Sequence, residues 1–86
     1  MKLPNAIKIG SDWWVIKMTT FEEEPDKFGE CDFENKCIRL NVNQSSSDMF
    51  YTIIHEALHA AIPDLVEEAV IRYESTLRSL DIFNKK

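Results

Sequence analysis

Basic residues are in short supply in this 86-residue chain: ten Lys and Arg stand against fifteen Asp and Glu, a formal net charge of −5. The ten are spread without a cluster. Phosphate contacts need a basic face, so no nucleic-acid partner is expected. Gly and Pro are few, with two and three copies, and no low-complexity tract, internal repeat or linker interrupts the chain. No stretch approaches the ~20 apolar residues that a membrane span requires, and Met1-Lys2-Leu3-Pro4-Asn5 lacks the apolar core of a secretory signal. No membrane partner is expected. Two cysteines, Cys31 and Cys37, are too few for a disulfide framework. The expectation is a cytoplasmic protein in a reducing compartment. Histidine occurs only twice, as His55 and His59.

What is present suits a single globular domain over 1–86, with 44% apolar and 29% charged residues. A chain this short buries roughly 60–65% of the surface it exposes when unfolded, so a metal, a disulfide or a partner subunit would help it. The acidic run Glu22-Glu23-Glu24 reads as a solvated turn. The chain divides near Asn43 into a β half (1–43) and a two-helix half (44–86).

Before Asn43, Ala6 to Ile9 is a short apolar run closed by Gly10-Ser11, and Trp13 to Thr20 is rich in aromatic and β-branched residues. After a turn around Pro25, Phe28 to Phe33 and Lys36 to Val42 form a hairpin about Glu34-Asn35. Ile38, Leu40 and Val42 share one face of the last strand, and Cys37, Arg39 and Asn41 the other. A two-residue turn sets Cys31 opposite Ile38, inward, with Cys37 outward and out of bonding reach; a three-residue turn would bring the cysteines together. Three or four strands in an antiparallel meander are expected.

After Asn43 the apolar period becomes 3.6. Ser45-Ser46-Ser47 offers N-caps for a helix over about Asp48 to Ala61, which Pro63 ends. Asp64 can cap a second helix to about Ile82, with Val66, Val70, Tyr73, Leu77 and Leu80 as its apolar stripe. The class is α+β, a meander followed by two helices.

On the first helix, Met49, Phe50, Ile53, Ile54, Ala57, Leu58 and Ala61 fill one broad face. His55 and His59 lie nearly opposite its centre, in a narrow stripe with Asp48 and Thr52. Spacing of i and i+4 stacks the imidazoles one turn apart, where both can reach one ion at the ~2.0–2.1 Å of zinc–nitrogen bonds. Glu56 points about 100° away, on the flank of that stripe. There it can touch a zinc-activated water without taking a ligand position. The bland reading is two solvent-exposed histidines on a polar face.

A third protein ligand is required, and no third His exists. A thiolate would quench an open hydrolytic site, which argues against Cys37. A turn at Pro63-Asp64 brings the start of the second helix back toward the histidines, so Glu67 or Glu68 is the candidate. Glu67 is preferred because it lies nearer the apolar face. Capping-box spacing in Asp64-Leu65-Val66-Glu67 explains Glu67 equally well without metal, and a cap role accounts for Asp64.

The segment Thr52-Ile53-Ile54-His55-Glu56-Ala57-Leu58-His59-Ala60-Ala61 resembles the HExxH helix of gluzincin-type metallopeptidases. Together with Gly29, Cys37-Ile38-Arg39-Leu40-Asn41, and Glu67, Val70, Arg72 and Leu77, it is similar in layout to small phage and prophage SprT-like or ImmA/IrrE-like zinc-peptidase domains. The resemblance implies a zincin-like fold, a Zn2+ cofactor held by His55, His59 and Glu67, and Glu56 as the general base of peptide hydrolysis. A peptide or protein substrate would follow, adding as a strand along an open edge such as Cys37 to Asn41. Tyr51 and Tyr73 are within conceivable reach as oxyanion stabilisers, although Tyr73 reads as core. Two other readings compete: a zinc-stabilised interaction module without turnover, and a metal-free adaptor using Trp13, Trp14 and Phe21 as a contact patch.

Overall fold

A computed structural model describes residues 3–80. Four strands precede two helices: β1 Ala6–Ile9, β2 Asp12–Thr19, β3 Gly29–Asp32, β4 Cys37–Asn41, α1 Ser46–Ala61 and α2 Glu67–Ser79. The α+β class holds. The antiparallel meander does not. The strands lie in the order β1-β2-β4-β3, with β2 and β4 parallel and the two outer pairings antiparallel.

The physical reason lies in β4. Ile38 and Leu40 are completely buried, and a strand gains most from such residues when it is flanked on both sides. β3, reading Gly-Glu-Cys-Asp, takes the edge instead. Its Glu30 and Asp32 both accept from the Arg39 guanidinium, at 2.7 and 3.0 Å. The segment between β2 and β3 crosses β4 and is pinned by Asn41. That buried amide donates to the carbonyls of Pro25 and Lys27, at 3.1 and 2.8 Å, and accepts from the Asn43 N–H. Cys37 to Asn41 is therefore interior to the sheet, not its open edge.

Local signals fared better. Gly10 opens a two-residue hairpin between β1 and β2 with φ of 62°, a left-handed value that favours glycine. The β3–β4 connection spans 33–36, yet its register sets Cys31 opposite Ile38, as a two-residue turn would. An Asp32–Asn35 side-chain bridge of 2.9 Å tightens it. The two thiols are free and on opposite faces. Cys37 is on the helix-free face as expected but is buried, and Val42 is exposed rather than inward. Burial pushes the Cys31 thiol up to about 11, with the charges of Glu56 and Asp32 adding, so it is not a reactive thiolate.

Both helices lie on one side of the sheet. α1 packs on β3, β4 and β1, and α2 packs on α1. Trp14, Ile38, Leu40 and Ala60 form the core, joined by Ile7, Ile9, Ile16, Met49, Ile53 and Ala57. Ser45 caps α1, its hydroxyl accepting from the Asp48 N–H at 3.0 Å. Asp64 does not cap α2: it sits in the turn closed by the Leu65 N–H and the Ile62 carbonyl, and α2 begins after Val66 without a side-chain cap. The expected end of α2 at Ile82 lies outside the described residues.

Packed mainly on α1, α2 buries a narrow strip. Val70 is fully enclosed, while Val66, Tyr73 and Leu80 of the expected stripe are exposed, so Tyr73 is not core. Trp14 is buried and Trp13 exposed, which leaves no joint patch of Trp13, Trp14 and Phe21. Among the described residues no helix is long and apolar enough to cross a membrane.

Candidate metal centre

α1 is rotated from the orientation its apolar residues imply. Thr52, Glu56 and Ala60 are buried on the sheet side, while Phe50, Ile54 and Leu58 are only half-buried and Ala61 is exposed. Gly29 in β3 makes room for this. A Cβ there would stand 2.7 Å from Thr52 Cγ2, 2.9 Å from the Arg39 carbonyl oxygen and 3.5 Å from Glu56 Cγ. Thr52 is held from the other side by donating to Gln44 Oε1 at 2.9 Å, and the Gln44 amide in turn donates to the Phe28 and Asn41 carbonyls. Gly29→Ala should destabilise the fold by about 1–3 kcal/mol, because β4 backbone cannot retreat and α1 must lift. Urea denaturation measures this, and a loss below about 0.5 kcal/mol would remove Gly29 from the account.

With Glu56 turned to the sheet, His55 and His59 face α2, their ring centroids 5.0 Å apart. The turn at Pro63-Asp64 brings the first residue of α2 back over them. Glu67 Oε1 lies 3.1 Å from His55 Nε2 and 2.7 Å from His59 Nε2. Donor atoms of these three residues all fall within 4.8 Å of one another. Four ligands at tetrahedral zinc stand about 3.3 Å apart, so two imidazoles and a carboxylate suit the ion in donor type, and the two His–Glu67 separations come near its spacing. Glu68 is elsewhere, on the outer surface of α2 beside Ile71 and Arg72. The structure therefore brings together His55, His59 and Glu67, and leaves Glu68 out.

Glu56 shares a cleft of about 330 Å³ with His55, Glu67, Thr52 and Gly29. Burial pushes its carboxyl above the usual carboxylate range. The charge of Glu67 adds to this, while His55, His59 and Lys27 oppose it. A raised carboxyl beside a nucleophile site is the environment of a general base. Neither tyrosine lines this cleft. The Tyr51 hydroxyl is directed at the Leu77 carbonyl at 3.4 Å, and Tyr73 borders a separate, more apolar hollow with Ala69, Arg72 and Thr76. That hollow carries neither a carboxylate nor an imidazole.

Glu74 was not among the residues singled out from sequence. Its carboxylate is 3.0 Å from His55 Nδ1 and, by its other oxygen, 3.0 Å from Arg78 Nε. The signal was there: Glu74 follows Glu67 by seven residues, two helical turns, and so shares its face of α2. No protein-family model, curated protein or solved structure matches this chain. Any functional reading therefore stands on its own residues.

Proposed function

We propose that this protein is a zinc-dependent metallopeptidase of minimal, zincin-like form, with His55, His59 and Glu67 as ligands and Glu56 as general base. The observation that carries the reading is the meeting of three donor atoms from two helices beside a buried glutamate in an open cleft. Zinc held there would act as a Lewis acid, lowering the pKa of a water toward ~7 and polarising the scissile carbonyl. Glu56 takes the attacking water's proton and delivers it to the leaving amine. β3 is the free sheet edge next to the cleft, and an extended peptide can add to its unpaired backbone groups. Gly29, at the start of that edge, keeps the approach to Glu56 free of a side chain.

The competing reading is a zinc-stapled module without turnover. One observation favours it: Val70 is the one buried side chain of α2 among the described residues, and the polar contacts of α2 with α1 include Glu67, Glu74, Arg78 and the Leu77 carbonyl, so an ion shared by the two helices would help hold them together whether or not it cleaves anything.

Zinc content of the purified wild type, Glu67→Gln and Glu68→Gln tests the ligand set. Glu67→Gln should lose zinc on dialysis while Glu68→Gln keeps one equivalent. If neither change weakens retention, Glu67 is not a ligand. Incubating the zinc-loaded protein with a peptide library then separates the readings, since inertness there favours the module.

A further inference from the structure

His55 is held by a carboxylate at each ring nitrogen: Glu67 Oε1 at 3.1 Å from Nε2 and Glu74 Oε1 at 3.0 Å from Nδ1. The two acids are not equivalent. Glu67 is exposed, whereas the Glu74 side chain is three-quarters covered. Arg78 fixes Glu74 from behind through its Nε. The same guanidinium reaches Asp48 on α1 at 3.2 Å and lies 4.4 Å over the Tyr51 ring. Glu74 cannot swing away without breaking a contact that spans both helices.

An ionised carboxylate only accepts, so the Nδ1 facing Glu74 donates to it. Nε2 makes the corresponding contact with the exposed Glu67, and that is the contact an ion shared with Glu67 and His59 would replace, while the covered Glu74 keeps its hydrogen bond from Nδ1. Among the described residues His59 has no corresponding side-chain partner on its Nδ1. We propose that Glu74 is a positioning residue: it selects the His55 tautomer that ligates through Nε2 and locks the ring's rotation, with Arg78 holding it in place. This rests on the metal reading above. Outer carboxylates of this kind orient a ligating imidazole and raise its basicity.

The test uses zinc affinity, measured by competition with a chromophoric chelator, on wild type, Glu74→Leu and Glu74→Gln. Glu74→Leu, checked by circular dichroism to be folded, should weaken zinc binding 10–100-fold. Glu74→Gln keeps an acceptor oxygen and should recover most of the affinity. A wild type that binds zinc and a folded Glu74→Leu that binds it equally well would overturn the role of Glu74 alone. A wild type that binds no zinc would end the metal reading, and this inference with it. Long-range 1H–15N spectra of the zinc-loaded wild type give a check that needs no variant. His55 must show its proton on Nδ1 and the metal on Nε2, and the reverse assignment refutes the proposal.

Discussion

Under the proposed mechanism, replacing Glu56 by Gln should leave one equivalent of zinc bound and the fold intact, while peptide cleavage falls by about 10²–10⁴-fold. The side chain keeps its volume, so Thr52 and Glu56 still fit beneath Gly29. What is lost is, among the described residues, the one buried group in the cleft that carries a raised carboxyl and stands outside the proposed ligand trio. Stability should not suffer, because burial already disfavours the charged carboxylate at this position. Zinc analysis, a melting curve and a turnover assay on one preparation suffice. Undiminished cleavage would place the base elsewhere; lost zinc would mean that Glu56 is itself a ligand.

The second large effect concerns stability. At zinc 100-fold above its Kd, binding to the folded state alone adds about 2.7 kcal/mol, and in a domain of this size that raises the melting temperature by roughly 10–20 °C. His59→Ala should abolish the rise and leave the zinc-free melting temperature near that of the wild type. The expectation follows from where the donors sit. His55 and His59 come from α1 and Glu67 from the first turn of α2, so an ion they share would close an interface whose buried side chains include Val70 and Tyr51. A protein whose melting is the same with zinc and with chelator would sink this and the ligand set together.

Short-range features were legible from the residues because their causes are short-range. The i, i+4 spacing of His55 and His59 is enough to stack two imidazoles on any helix. Ser45 supplies a cap and Pro63 a stop, and α1 begins and ends beside them. The β3–β4 register also came out as read, since alternation in Cys37 to Asn41 leaves one arrangement that buries Ile38 and Leu40. That Glu67 rather than Glu68 faces α1 was legible for the same reason: a difference of 100° on a helix decides which of two neighbours faces the next element.

Distant causes decided the rest. Strand order depends on which strand gains most by being flanked, and β4 won the centre although β3 precedes it; that moved the free edge away from Cys37–Asn41. Rotation of α1 was set by the missing side chain of Gly29, which drew Thr52 and Glu56 under the sheet and turned the histidines to α2. The burial of Glu56, its raised carboxyl and the Glu74 contact all follow from that rotation. Residue order alone thus determined the paired imidazoles and their helix. Tertiary packing determined what surrounds them, because each surrounding group arrives from a separate element whose position no local spacing encodes.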